Sequence, residues 1–181
     1  METYKLKFTR LQNEILRLLC IKVGSSINQS EIARALKVSS TAIAKSLPLL
    51  KKEKLIIYSL SPRMNLTFIE LNRDNPQAIS LKRIENLKLI YESGIITILE
   101  EIFPGATIIL FGSYSKGEDT TESDIDIAIV AVKEKEVNLE RLSKRLEREI
   151  SLNFYDSLKK IDKHLRNNIL NGIVLTGSVD V

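Results

Sequence analysis

The 181-residue sequence has no tryptophan, one cysteine and one histidine. A single cysteine cannot form an internal disulfide, and the apolar neighbours of Cys20 predict a buried, inert thiol. A single histidine argues against a zinc site built on histidines. His164 lies close to Lys160 and Lys163, so we expect it on an exposed basic helix face. These absences fit a reducing cytoplasm and exclude a small disulfide-stabilised fold.

Long apolar runs are also missing. No run approaches the roughly 18 residues of a membrane-spanning helix, so no membrane partner is expected. The first eight residues include two lysines but lack the apolar core of a secretory signal. With 44% hydrophobic and 28% charged residues, the composition predicts a folded chain in the cytoplasm.

The modest net charge of +4 conceals a division along the chain. Residues 1–93 hold 16 Lys and Arg against 8 Asp and Glu, whereas residues 94–181 hold 11 against 15. A basic first half suits a phosphate backbone, and an acidic second half suits metal ions. Charge alone is weak evidence, but each half also carries a matching motif.

Hydrophobic periodicity and capping residues predict the secondary structure. In the first half, the predicted elements are helices over 9–23, 29–36 and from Ser39 or Ser40 onward, then strands over 55–58 and 66–71. Residues 25–28 are predicted to be a loop, and the polar segment 72–76 a linker. In the second half, the predicted elements are helices over 77–92 and 95–103, strands over 107–111 and 124–130, a helix over 136–148, a strand over 150–155, a helix over 157–170 and a short strand over 172–175.

Two aspartates mark the strand predicted at 124–130. Residues two apart in a strand point to the same face, so Asp124 and Asp126 project side by side with the small Ala128. The isoleucines between them face a core. Two carboxylates this close repel each other unless a cation lies between them. A hard divalent ion such as Mg²⁺ or Mn²⁺ meets that need and would also hold nucleotide phosphates.

A Gly-Ser turn precedes this aspartate pair, with ten residues between Ser113 and Asp124. Gly112 follows an apolar strand and allows the backbone to approach a ligand closely. The N–H groups that follow favour an anion. The Ser113 hydroxyl can donate to a phosphate oxygen, and Lys116 adds positive charge.

Together these segments resemble the minimal nucleotidyltransferases, a branch of the DNA polymerase beta superfamily. The resemblance covers roughly residues 94–181 and rests on Gly112-Ser113, Lys116-Gly117, Glu118, Thr120 and Ser123-Asp124-Ile125-Asp126. It implies that Asp124 and Asp126 are catalytic and hold the metal ions. It also implies that an NTP, ATP being the expected one, binds at Gly112, Ser113, Lys116 and Gly117.

The sequence departs from the family in two places. The family brings a third carboxylate from the next strand, and by its flanking residues Asn153 occupies that place here. Asparagine can ligate a metal but is a poor base. Asp156 has the wrong parity to replace it, and Glu149 lies on the same face one step further from the centre. Tyr114 also stands where many relatives carry arginine. Catalysis is therefore less firmly supported than binding of metal or nucleotide.

The first half resembles a winged helix-turn-helix, from Gln29 to Leu36, Val38 to Ile43 and onward to Ile56. This resemblance implies DNA binding, with the third helix in the major groove. The residues expected to reach DNA are Ser39, Ser40, Thr41 and Lys45, with Lys51, Lys52 and Arg63 on phosphates. The alternative is a fold that mediates protein contacts or dimerisation. Similarly, the stripe of Leu87, Ile90 and Tyr91 indicates either core or a homodimer seam.

The sequence thus predicts a two-domain α+β and α/β protein. A winged helix-turn-helix is expected over 1–73, a connecting helix over 74–93, and a small mixed sheet with flanking helices over 94–181. Three functions remain open: a Mg²⁺-dependent nucleotidyltransferase, a nucleotide-sensing regulator that lost catalysis with Asn153, and an adaptor that binds neither ligand. The nucleotidyltransferase resemblance further implies an antitoxin that modifies a protein of the HEPN class.

Overall fold

The computed structural model of the protein describes residues 7–61 and 66–179. The chain divides into two compact units, residues 1–82 and 83–181. Along the described chain, no helix is both long enough and apolar enough to span a membrane. Arg63, one of the residues expected on DNA, lies outside the described residues.

The first unit contains three helices, then a hairpin, then the start of a fourth helix. The elements are α1 (Arg10–Ile21), β1 (Ile27–Asn28), α2 (Gln29–Leu36), α3 (Ser40–Lys52), β2 (Ile56–Ser61), β3 (Leu66–Leu71) and α4 (Pro76–Ser93). The strands form an antiparallel sheet in the order β1-β3-β2. This order of helices and strands is that of a winged helix, which confirms the predicted fold class. The short strand β1 falls in a predicted loop, because Ile27 and Asn28 pair with Ile69 and Phe68 far along the chain.

Side-chain caps fix where the first three helices begin. Thr9 and Asn28 each accept from the backbone three residues on, and the side chains of Gln12 and Glu31 return a bond to the cap. Ser39 caps α3 by accepting from the Ala42 N–H. Capping satisfies donors that a helix start leaves without partners. Below these helices, Ile15, Leu19, Ile32, Ile43, Leu47, Leu50, Leu55 and Ile69 form the buried core.

The second unit packs helices around a four-stranded mixed sheet. Its elements are the later part of α4, then α5 (Ile95–Ile102), β4 (Thr107–Phe111), α6 (Gly112–Lys116), β5 (Ile125–Val130), α7 (Glu140–Leu146), β6 (Ile150–Tyr155), a 3₁₀ turn (Leu158–Lys160), α8 (Lys163–Leu170) and β7 (Ile173–Thr176). The strand order is β6-β5-β4-β7. The β5–β6 pair is parallel and the other two pairs are antiparallel. The predicted mixed sheet is therefore confirmed.

Two predicted helices differ in extent. The helix predicted over 136–148 is shorter, since the Asn138 side chain accepts from the Glu140 N–H and α7 begins only there. The continuous helix predicted over 157–170 is wrong. Asp162 accepts from the N–H groups of His164 and Leu165 and starts α8 separately from the 3₁₀ turn. A side chain that captures backbone donors in this way competes with helix continuation.

The two faces of the second sheet carry different residues. One face holds Ile108, Leu110, Ile125, Ile127, Ile129, Leu152 and Phe154 and packs into the larger core cluster. The other face, here called the carboxylate face, holds Phe111, Asp126, Ala128, Ser151, Asn153 and Tyr155. Its apolar part packs against Leu158 and Ile169. The alternation of β5 thus places Asp126 away from the main core.

Candidate active site

The Gly-Ser turn and the aspartate pair meet because β4 and β5 are antiparallel neighbours. Phe111, the last residue of β4, pairs directly with Asp126. The next residue, Gly112, begins α6 with φ +73°. A Cβ added to Gly112 would lie 2.3 Å from Asp126 Oδ2, so glycine is the residue that fits beside this carboxylate. Residues 14 positions apart in the chain are brought into contact here.

The two aspartates differ in exposure. Asp124 immediately precedes β5 and is exposed, whereas Asp126 lies within β5 and is half-buried. Burial raises the pKa of Asp126, and the charge of Asp124 raises it further. Both causes disfavour the ionised form of Asp126, and a bound cation would oppose them by favouring that form. This electrostatic state fits the predicted metal site.

The remaining predicted nucleotide ligands lie on α6 and at its end. Ser113 is half-buried, and its carbonyl accepts from the Glu118 N–H at 3.0 Å. Lys116 is exposed and donates to Asn168 Oδ1 of α8 at 3.3 Å. Gly117 ends α6 with φ +78° and donates to the carbonyls of Ser113 and Tyr114. The turn is therefore folded back on itself, with Gly112 at one end against Asp126.

The neighbouring strand β6 contributes amide and hydroxyl groups to the carboxylate face. Ser151 pairs with Asp126 and Asn153 pairs with Ala128. Asn153 Nδ2 lies 3.4 Å from both the carbonyl and the hydroxyl oxygen of Ser151. The flanking residues predicted Asn153 at the position of the family's third carboxylate. The strand register, however, pairs Ser151 with Asp126. Only the strand pairing could reveal this, since register is a non-local property.

Glu149 immediately precedes β6 and lies beside the start of β5. It is exposed at the start of the strand, and its carbonyl accepts from the Ile125 N–H at 2.8 Å. Within the described residues, no three carboxylate, histidine or cysteine groups are close enough to hold a metal ion together.

Tyr155, at the far end of β6, also belongs to the carboxylate face. Burial raises the pKa of its phenol, and the negative charge of Asp126 adds to the effect. The phenol therefore stays protonated, and its ring forms part of the apolar wall beside Phe111 and Ala128. Nothing in the one-dimensional pattern distinguished Tyr155 from the other strand residues.

A buried polar network, which the sequence analysis did not predict, lies behind the Gly-Ser turn. Asn86 of α4 donates to the Tyr114 carbonyl at 2.9 Å and to Asp119 Oδ1 at 2.7 Å. The other oxygen of Asp119 lies 3.6 Å from the Arg148 guanidinium. Burial raises the pKa of Tyr114, Asp119 adds to this effect and Arg148 opposes it. The Arg148 side chain is thus buried against Asp119, on the side of the turn where Tyr114 lies.

The residues predicted to contact DNA, apart from Arg63, lie on α3 or at its N-cap. Ser39, Ser40, Thr41, Lys45, Lys51 and Lys52 are all exposed. Thr41, Lys45 and Lys52 follow one another at helical spacing along α3. Gln29 Nε2 donates to the Ser40 carbonyl at 2.9 Å, which ties the start of α2 to the start of α3. Lys51 lies over the ring of Tyr58 with its Nζ 4.6 Å from the centroid.

One comparison with known proteins concerns the second half of the chain. Residues 92–176 match the family model described as the nucleotidyltransferase domain. This match confirms the coarse prediction for the second half of the chain. No curated protein matches the sequence.

Several solved structures of bacterial regulators are similar to part of the chain. A variant of ZitR from Lactococcus lactis is 22% identical with a TM-score of 0.43, covering 57% of this chain and 67% of that chain. The adhesin competence repressor AdcR from Streptococcus pyogenes is 21% identical with a TM-score of 0.43, covering 54% and 69%. MepR, a transcription regulator of the Staphylococcus aureus efflux pump MepA, is 21% identical with a TM-score of 0.41, covering 52% and 66%.

Proposed function

We propose that this protein is a DNA-binding nucleotidyltransferase that transfers a nucleoside monophosphate from an NTP, expected to be ATP, to a hydroxyl acceptor. The observation that carries the proposal is the contact between Gly112 and the Asp126 carboxylate. It joins the predicted phosphate-binding turn to the predicted metal ligands in one place. The match of residues 92–176 to the nucleotidyltransferase domain family supports the same chemistry.

In this proposal, Asp124 and Asp126 hold Mg²⁺ or Mn²⁺. The ion, when bound, would neutralise charge on the phosphates and lower the pKa of the acceptor hydroxyl. Gly112, Ser113, Lys116 and Gly117 would hold the triphosphate through backbone N–H groups, a hydroxyl and an ammonium. The acceptor oxygen forms a bond to the α-phosphorus while the bond to the β-phosphate oxygen breaks. Pyrophosphate leaves, and the hydroxyl proton passes to solvent or a nearby carboxylate.

The DNA-binding part of the proposal rests on charge and geometry. Six of the seven predicted contacts are exposed on or beside α3. A helix with this position in a winged helix is the one that enters the major groove. The proposed boundaries are a winged helix over 1–73, a connecting helix over 74–93 and a transferase domain over 94–181.

The finer biological role is a further part of the proposal. Relatives in the minimal nucleotidyltransferase branch act as antitoxins that modify a partner of the HEPN class, and a DNA-binding unit would suit autoregulation. A homodimer would match a two-fold symmetric operator. Labelling of proteins in a cell extract would identify the acceptor.

The second candidate function is a nucleotide sensor without turnover. The observation that favours it is the pair Ser151 and Asn153 on the carboxylate face, where a third carboxylate would complete catalysis. Asn153→Asp separates the two candidates. If this substitution creates transfer activity that the natural protein lacks, the sensor hypothesis is supported. If the natural protein already turns over, the sensor hypothesis fails.

The test is incubation with each α-³²P-labelled NTP and Mg²⁺, with and without cell extract, followed by gel analysis. The control is the double substitution Asp124→Ala and Asp126→Ala. Label on a partner or on the protein itself, absent in the control, is the expected result and identifies the acceptor. The absence of label in every condition would contradict the transferase. Metal-dependent nucleotide binding that the control loses would then favour the sensor.

A further inference from the structure

We propose that Asn86, Asp119 and Arg148 are positioning residues that hold the nucleotide-binding turn in place from behind. This inference rests on the proposed function of the turn at residues 112–117. It assigns a role to three residues that lie outside the motif that predicted the site.

The three side chains of this network are almost fully buried. Asn86, Asp119 and Arg148 are only 3%, 1% and 6% exposed. Burial of charged groups is unfavourable unless their partners are well placed, and apolar residues of similar size often give equal or greater stability. A buried Asp–Arg pair is therefore poorly explained as a stabilising device. The Asp119–Arg148 pair is better explained by a need to hold the turn at residues 112–117 in one fixed arrangement.

The network contacts the nucleotide-binding turn at two points. Tyr114 is the central residue of α6, and its carbonyl accepts from both the Asn86 side chain and the Gly117 N–H. Asn86 therefore fixes the point where the turn bends back. Its second bond, to Asp119, fixes the chain just beyond Gly117. Both ends of the segment 114–119 are held by one side chain.

The network also reaches the residues that precede β6. Arg148 precedes Glu149, whose carbonyl accepts from the Ile125 N–H between the two aspartates. The Arg148 guanidinium faces Asp119 at 3.6 Å and also donates to the Glu147 carbonyl at 2.7 Å. The network therefore connects the nucleotide-binding turn to the strand junction that flanks the metal ligands. Misplacement of either part by about 1 Å can cost on the order of 100-fold in activity.

The test uses a variant that separates stability from position. Asp119→Leu combined with Arg148→Met replaces the ion pair with apolar side chains, which should largely preserve stability. We expect the full-length double variant to melt close to the natural protein. Its amides in residues 113–120 should exchange hydrogen at least about tenfold faster, which corresponds to losing about 1.4 kcal/mol of local protection. The exchange of β4 and β5 should not change.

A second readout is the dissociation constant of a non-hydrolysable ATP analogue with Mg²⁺, which should rise about 10- to 100-fold in the double variant. The matched control is Glu140→Gln with Lys144→Gln. This pair is also in the second unit, at 2.6 Å, but its side chains are 70% and 75% exposed. We expect the control to leave both exchange and nucleotide binding unchanged.

The possible failures are distinguishable. Normal exchange at 113–120 in a stable double variant would overturn the positioning role, whatever the protein binds. Failure of the natural protein to bind the analogue would contradict the proposed function, while the exchange experiment would still decide the inference. If the double variant does not fold, Asp119→Asn replaces it. That single change should accelerate exchange at 113–120 well below its melting temperature, and normal exchange there would overturn the inference.

Discussion

Because Gly112 lies against the Asp126 carboxylate, Gly112→Ala should lower the free energy of unfolding by a predictable amount. The substitution has two costs. A non-glycine residue at φ +73° loses about 1–2 kcal/mol relative to glycine. The new methyl group would also lie 2.3 Å from Asp126 Oδ2. Moving that carboxylate off its rotamer costs about 0.5–1.5 kcal/mol more. We therefore expect Gly112→Ala to lower the free energy of unfolding by about 1.5–3.5 kcal/mol.

Gly105→Ala is the matched control. Gly105 has φ +80°, and no described atom lies within 4 Å of a Cβ built there. Gly105→Ala should therefore lower the free energy of unfolding by the backbone cost alone, about 1–2 kcal/mol. Urea denaturation followed by circular dichroism measures both variants. In an Asp126→Ala background the carboxylate is absent, and the cost of Gly112→Ala should fall to that of Gly105→Ala. Equal costs of the two alanine variants in the natural background would refute the contact.

Three further predictions follow from individual residues. Asp126→Asn should stabilise the metal-free protein at pH 7 by roughly 0.2–1 kcal/mol, the range of exposed charge pairs, because burial and Asp124 raise the pKa of Asp126. Because the pKa of Asp126 is raised in the folded state, its ionisation destabilises the fold as the pH rises through that pKa. The stability gain from Asp126→Asn should therefore vanish below about pH 4 in urea melts. A lower free energy of unfolding for Asp126→Asn at pH 7 would contradict this prediction. Asp162→Ala should remove the N-cap of α8 and lower the free energy of unfolding by about 1 kcal/mol, as measured by thermal melting. An unchanged melting temperature would show that the cap does not stabilise the protein. Lys45→Ala should weaken DNA binding on all sequences and reduce the slope of log K against log salt by about 1, and an unchanged slope would remove Lys45 from the interface.

The carboxylate face shows how far the sequence could predict the site. Period-two alternation in 124–130 was sufficient to place Asp126 and Ala128 on one face and the isoleucines on the other. Alternation says nothing about which strand lies beside which, or in what register. Asp126 lies against Gly112 and pairs with Ser151 rather than with Asn153. Both relationships depend on pairings between distant segments of the chain.

The buried network shows a different limit. Asn86 and Asp119 are 33 residues apart in the chain, and Arg148 lies further still. A polar residue is expected to be exposed unless its partners are known, because burial without partners is costly. Asn86 occurs four residues before the buried Ile90, and that helical spacing was the only available signal. Local capping was easier to predict, as at Ser39, because all of its atoms come from neighbouring residues.

The central claim is that the aspartate pair and the Gly-Ser turn form one site for a metal ion and a nucleotide. The most direct test is a Mn²⁺ titration followed by electron paramagnetic resonance, with and without a non-hydrolysable ATP analogue. Two ligands that share a site must strengthen each other's binding reciprocally, so the analogue should tighten Mn²⁺ binding at least about tenfold. The double substitution Asp124→Ala and Asp126→Ala should abolish this effect. Mn²⁺ binding that the analogue does not change, or that survives the double substitution, would contradict the claim.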